Sequence, residues 1–322
     1  MQKPIIRVLL INAHSDQYVD MAKLLDAISV SDYEMTWCAD YAHALEAMLA
    51  PIHDVILLDY EHAPNICEEL LRQASAHGCT TPILCLTATV NPELDRAAIK
   101  AGAADYLVKD RLDINIIERT IRYAIDRKNA ETELARLAHY DALTGIPNRL
   151  LFNDRLDRAL QRADRGDSPF ALLYLDLDGF KAVNDAYGHD MGDKLVQGIA
   201  ERLSQCIRRT DSVARIGGDE FTVLLEKTTS TNDTVTIAQK IIDVITEPFD
   251  INGQQMRVGS SIGIAVYPEA GRDATTLIKH ADMAMYEAKA MQGSNYRFFT
   301  AKMNSEAVDQ GRLDLELRAA IS

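Results

Sequence analysis

Four short apolar runs in the first third of the chain constrain its fold most strongly. They are "IIRVLLIN" (Ile5–Asn12), "DVILLDY" (Asp54–Tyr60), "TPILCLTA" (Thr81–Ala88) and "ADYLVKD" (Ala104–Asp110). Each has the length and composition of a buried strand. Helix-patterned stretches separate them. One is "DMAKLLDAI", with Met21, Leu24, Leu25 and Ile28 at helical spacing; another is "ELDRAAIKAG", closing on Gly102. Strands alternating with helices predict a parallel α/β sheet covered on both faces. The 322 residues leave room for a second domain.

In a doubly wound sheet the site lies beyond the carboxyl ends of the strands. Asp59, Thr87 and Lys109 each fall at such an end. An acid, a hydroxyl and an amine meeting there suit phosphoryl chemistry. Residues 1–112 resemble a response-regulator receiver domain, which has the flavodoxin-like doubly wound fold. The resemblance implies that Asp59 accepts a phosphoryl group from a histidine kinase, making this a phosphoprotein of two-component signalling. It also implies that Thr87 and Lys109 bind the phosphate. The family places a pair of acids after the first strand to hold magnesium, where this chain has Asn12 and Ala13. Two readings stay open: a working switch, and a receiver fold kept for docking or dimerisation.

From Ile114 to Ala138 there is no proline or glycine. Ile117, Ile121, Ala124, Leu134 and Leu137 form an intermittent apolar stripe, interrupted by Lys128 and Glu131 in its heptads. The segment, residues 113–139, predicts a long connector helix. A two-stranded coiled coil and a solvated single helix both fit it.

A second, α+β domain with a mixed sheet is expected over 140–301. In "LLYLDLDGF", Leu173, Leu175 and Leu177 share one face while Tyr174, Asp176 and Asp178 share the other. Two acids closing an apolar strand suit a sheet end that faces a cation. In "VARIGGDEFTVLL", Val213–Ile216 and Phe221–Leu225 predict a hairpin turning on Gly217 and Gly218, with Asp219 and Glu220 just past the turn. If this hairpin neighbours the Asp176 strand, three carboxylates can surround one or two metal ions.

With "DALTGIPNR" and "LDLDGFKAVNDAYGHDMGD" upstream, the segment from about Asp141 to Thr300 resembles the GGDEF family of diguanylate cyclases, whose fold is like that of polymerase palms and nucleotidyl cyclases. The resemblance implies joining two GTP into cyclic di-GMP with release of two pyrophosphates. It makes Asp176, Asp219 and the Leu177 carbonyl ligands of Mg2+ or Mn2+. Asp219 or Glu220 would deprotonate the attacking 3′-hydroxyl. Asn184 and Asp193 would read the guanine edge, with His189 near the nucleotide. Lys181 and Lys289 would neutralise phosphate, and Gly217 and Gly218 would let backbone approach it. "RRTD" places Arg208 and Asp211 at the offset of the family's product-inhibition site. The chain departs from the family at Gly293, where an arginine that helps hold triphosphate is often found. Because the product has two equivalent phosphodiester bonds, turnover requires a homodimer with two half-sites face to face.

The net charge of -14 argues against nucleic acid or an anionic membrane as partner. Five cysteines without a CxxC pair suit reduced thiols, and no segment reads as a signal peptide or membrane span. Together these predict a cytoplasmic protein. Residues 302–322 predict a C-terminal helix like the connectors that lead from GGDEF into EAL phosphodiesterase domains, so a longer protein is expected. Beside the cyclase reading stand two others. One is a catalytically weak GTP or cyclic di-GMP sensing module regulating an attached phosphodiesterase domain; the other is an interaction protein.

Overall fold

The computed structural model describes residues 3–304 except 62, 89, 167, 168, 229 and 292. The predicted helix over 302–322 therefore lies almost wholly outside the described residues. The chain divides into two compact units, Met1–Ala135 and Arg136–Ser322.

The first unit runs β1 (Ile5–Ile11), α1 (Ser15–Asp26), β2 (Asp32–Cys38), α2 (Tyr41–Leu49), β3 (Val55–Asp59), α3 (Pro64–Ala76), β4 (Ile83–Thr87), α4 (Pro92–Ala101) and β5 (Asp105–Val108), then enters α5 (Ile114–His139). The sheet order is β2-β1-β3-β4-β5, all parallel. This is the flavodoxin-like order of doubly wound sheets. Every residue of β3 and β4 is buried, which is why those strands read as unbroken apolar runs. Leu9, Ile56 and Leu58 pack under α2 and α3, while Leu10, Leu57 and Leu84 pack under α1 and α5. Each fully buried leucine contributes ~2 kcal/mol. Asp40 and Asn91 cap α2 and α4, and Gly102 ends α4 at φ 117°.

The sequence reading missed β2. Its "DYEMTWC" alternates half-buried and exposed residues because it is an edge strand, so it carries no apolar run. The connector is one continuous helix of 26 residues. Its first part belongs to the first unit, where Ile117, Ile121 and Ala124 join the core. The division between the two units falls within α5, after Ala135.

The second unit continues with α6 (Arg149–Asp164), β6 (Ala171–Asp178), α7 (Phe180–Tyr187), α8 (His189–Cys206), β7 (Ser212–Gly217), β8 (Glu220–Leu225) and α9 (Thr231–Thr246). A small hairpin, β9 (Phe249–Ile251) and β10 (Gln254–Met256), precedes β11 (Gly259–Val266), α10 (Ala274–Lys289) and β12 (Asn295–Phe298). The main sheet has the order β12-β11-β6-β8-β7, with only β11 and β12 parallel. β6 lies at its centre. Leu173, Leu175 and Leu177 face a core built with α8 and α9. Leu172 and Tyr174 face α6 and α10. The alternation expected for this strand is therefore present.

Gly263 decides how close α10 comes. A Cβ there would sit 1.9 Å from the Ala281 carbonyl oxygen and 2.2 Å from the Met285 nitrogen. The helix rests directly on the β11 backbone, opposite Tyr174. All five cysteines are free. Among the described residues, no helix is long and apolar enough to cross a membrane.

Candidate active site

The GGDEF hairpin lies beside the Asp176 strand. β6 and β8 pair antiparallel with Asp176 opposite Glu220 and Tyr174 opposite Thr222, so both acids share a face. The turn differs from expectation. β7 reaches Gly217 and β8 starts at Glu220, so the two turn residues are Gly218 and Asp219, one position later than the Gly-Gly pair. The reason is an irregularity between Arg215 and Gly217, which shifts the register by one residue. Gly218 has φ 51°, a conformation that favours glycine.

Arg215 holds this turn. It donates from Nε and Nη2 to the Gly218 carbonyl at 3.0 and 2.8 Å, and from Nη1 to Asp141 Oδ1 at 3.0 Å. Asp141 also accepts from the Thr144 amide and hydroxyl at 2.9 and 2.6 Å. The "DALTG" segment and the GGDEF turn are thereby tied together. Burial pushes the Asp141 carboxyl up, but the bonds from Thr144 and Arg215 outweigh it and hold it below its usual 3.8.

Asp176 is 8% exposed, and its Oδ1 accepts from Lys289 Nζ at 2.5 Å. The bond to Asp176 raises the Lys289 pKa first of all, with Asp178 and Asp219 adding to it. One ammonium thus feels three carboxylates. Asp178 accepts from Ser261 Oγ at 2.9 and 3.1 Å. Burial raises its pKa, with Asp176 adding and Ser261 and Lys289 opposing. Tyr174 donates its hydroxyl to Glu220 Oε2 at 3.2 Å. Asp282, on α10, is pushed up by partial desolvation and then by Asp176. A cleft beside this cluster is lined by Asp178, Gly179, Gly259, Lys289, Gly293 and Ser294. Gly293, the departure noted in the sequence, thus stands on its wall.

Around the corner between α7 and α8, Asn184 lies half-buried with an Oδ1 that has no hydrogen-bond partner. A Cβ at Gly192 would lie 1.9 Å from that oxygen, so only glycine leaves room for the amide. His189 opens α8, Asp193 follows in its first turns, and Lys181 lies in the first turn of α7; all three are exposed.

Arg208 and Asp211 part company. Arg208 is exposed. Asp211 is 8% exposed, and its oxygens accept from the Arg208 and Glu226 amides at 3.2 and 3.1 Å. The carboxylate closes the turn before β7. Burial raises its pKa, opposed by these two bonds.

In the first unit, Lys109 Nζ donates to both oxygens of the fully buried Asp59 at 2.9 Å. Thr87, at the carboxyl end of the neighbouring β4, is 5% exposed, and its hydroxyl has no partner. The three residues named from sequence therefore meet at one end of the sheet.

Among the described residues, no group of three or more His, Cys, Asp or Glu side chains is gathered in the arrangement of a metal site. The donor chemistry at the sheet end of the second unit nonetheless fits a divalent cation. Asp176, Asp219, Glu220 and the Leu177 carbonyl are all hard oxygens of the kind magnesium takes, and Lys289 balances part of their charge through its bond to Asp176. The sequence reading did not single out Arg215, Ser261 or Asp282; it placed Tyr174 only on the face of Asp176 and Asp141 only at the start of the "DALTG" segment. "DALTG" did not reveal what Asp141 touches.

A mixed sheet with acids at the carboxyl end of its central strand, a glycine turn beside them and a lysine over them defines an α/β domain with an acidic site at one end of the sheet. Residues 138–295 match the family model described as diguanylate cyclase, GGDEF domain. The chain is 44% identical over 215 residues to the bifunctional diguanylate cyclase/cyclic di-GMP phosphodiesterase MucR of Pseudomonas aeruginosa, covering 67% of this chain and 31% of that protein. The solved GGDEF domain of TpbB (YfiN) from the same organism matches with a TM-score of 0.51 and 40% identity, over 53% of this chain and 99% of that one. The coiled coil and GGDEF domain of DgcB from Caulobacter crescentus, solved in complex with c-di-GMP, matches with a TM-score of 0.50 and 26% identity, over 58% and 97%. The chain belongs to the GGDEF family, and its second unit is a diguanylate cyclase-type GGDEF domain. It spans under a third of MucR's length.

Proposed function

We propose that the second unit condenses two GTP into cyclic di-GMP in a signalling protein. The observation that carries this is the pairing of Asp176 with Glu220 across β6 and β8, with Asp219 in the adjoining turn and Lys289 on Asp176. Each 3′-oxygen bonds to the α-phosphorus of the other GTP, the bond to the β-phosphate breaks, and pyrophosphate leaves. Asp176 and Asp219, with the Leu177 carbonyl, would hold Mg2+ or Mn2+, which when bound supplies positive charge at the reacting phosphate. Asp219 or Glu220 accepts the proton of the attacking hydroxyl. Asn184 and Asp193 read the guanine edge by offering donor and acceptor atoms, with His189 beside the nucleotide. Lys181 and Lys289 balance phosphate charge, and the backbone at Gly217 and Gly218 approaches the phosphates. Two chains must face each other, because each attacking hydroxyl comes from the other half-site. Arg208 grips the product in an inhibitory site whose loop Asp211 shapes.

The first unit is a receiver-like regulatory domain, with Asp59, Thr87 and Lys109 as its phosphoacceptor set. It is either a switch served by a histidine kinase or a docking and dimerisation unit.

Incubating the purified chain with GTP and magnesium and separating the nucleotides tests the main reading. Product is expected, and Asp219→Ala should lower its rate by about 100-fold or more. A second reading, a GTP or cyclic di-GMP sensor regulating a phosphodiesterase domain, is favoured by Gly293 standing on the cleft wall. Bound GTP without product would select it.

A further inference from the structure

We propose that the Asp59 site works without a divalent cation: Lys109 supplies the charge, and Asn12, Gln17 and Trp37 close the position an ion would take. The proposal rests on the receiver-like reading of the first unit and asks what its departures from that family do.

Asn12 stands at the carboxyl end of β1 and is 1% exposed. Trp37 Nε1 donates to Asn12 Oδ1 at 2.8 Å and to its carbonyl at 3.1 Å. Asn12 Nδ2 donates to Gln17 Oε1 at 3.2 Å. The amide oxygen already accepts from an indole, and the other end of the amide is a donor that cannot ligate a cation. Tyr18 stacks on Trp37 with ring centroids 5.4 Å apart and holds the indole in place. Ala13 brings no ligand at all.

A buried carboxylate needs a compensating charge. Asp59 has its compensation inside the protein. Lys109 donates to both its oxygens at 2.9 Å, to Glu61 Oε2 at 3.3 Å and to Gln17 Oε1 at 3.3 Å. The Glu61 amide adds a bond to Asp59 Oδ1 at 3.2 Å. Magnesium demands nearly ideal octahedral oxygen geometry, usually with one or two free carboxylates. Asp59 and Glu61 share the Lys109 ammonium, and Asn12 and Ala13 add no third carboxylate. Asp20, the acid beside the cavity next to Asn12 and Gln17, is exposed and pairs with Lys23 at 3.5 Å. The anion-binding half of the site survives, because the buried Thr87 hydroxyl still lacks an acceptor. The consequence is a regulatory unit whose Asp59 is held in one charge-compensated state whatever the magnesium level.

Trp37 is the chain's single tryptophan and touches Asn12, so its fluorescence reads this site. Magnesium is titrated into the whole chain carrying Asp176→Ala, which removes the proposed cation site of the second unit. The expected result is no saturable change. The same chain with Asn12→Asp and Ala13→Asp added should gain one, enlarged by beryllofluoride as a phosphoryl mimic. A saturable response with Asn12 and Ala13 in place overturns the proposal, since the ion then enters despite the network. No response from either protein overturns it differently, by removing the receiver-like reading on which it stands. The cyclase reading is untouched by both outcomes.

Discussion

Lys289 donates to Asp176 Oδ1 at 2.5 Å, joining residues 113 positions apart at the edge of the central strand. The contact exists because α10 lies on the backbone of Gly263. It provides the positive charge that compensates an acid inside a buried strand. Lys289→Met should raise the KM for GTP by about 10-fold or more, the size of one charge-assisted hydrogen bond. Steady-state kinetics at fixed free magnesium measures it, and an unchanged KM would remove Lys289 from the phosphate site.

Gly192→Ala puts a methyl group where the Asn184 oxygen lies. Alanine favours a helix interior by about 1 kcal/mol over glycine, so the melting temperature should hold or rise. Guanine recognition should fall all the same. We expect GTP affinity to drop by about 10-fold with no corresponding change for ATP, measured by calorimetry. Equal losses for both nucleotides would argue against a guanine-reading role for Asn184.

Gly263→Ala gives the opposite pattern. The added methyl would meet the backbone of Ala281 and Met285, which no rotamer change relieves. Overpacking of this kind costs about 1–3 kcal/mol. Thermal unfolding should shift down by several degrees, and cyclase activity should fall with it because α10 carries Lys289.

Arg208 and Asp211 are expected to separate in experiment. Arg208→Ala should weaken inhibition by added cyclic di-GMP by about 10-fold, the scale of one bidentate contact to guanine, and leave the melting temperature alone. Asp211→Asn should lower stability by about 1–3 kcal/mol, since its carboxylate accepts two backbone amides. A variant at 211 that melts normally but escapes inhibition would reverse this assignment.

Asp141 makes stability depend on acid. Its carboxyl titrates below the usual 3.8 in the folded chain, so the folded state binds this proton less readily than the unfolded one. The contribution is therefore complete above the usual value and is lost as pH falls through the lowered one. Thermal unfolding from about pH 6 down to about pH 2.5 should show wild type and Asp141→Asn converging as acid is added. Parallel curves would mean that the Arg215 contact carries no charge-dependent stability.

Sequence alone determined whatever depends on neighbours along the chain. Leu173, Leu175 and Leu177 alternate with Tyr174, Asp176 and Asp178, and that period fixed both the strand and the face of its acids. The fully buried β3 and β4 were legible as apolar runs, whereas the alternating edge strand β2 was not. Tertiary structure decided which distant groups meet. Pairing register set Asp176 opposite Glu220, the irregularity after Arg215 moved the turn onto Asp219, and packing buried Asp211 while leaving Arg208 in solvent. Helix and strand periods are local properties of the backbone, but register and burial follow from how whole elements pack, and no short stretch of residues encodes that.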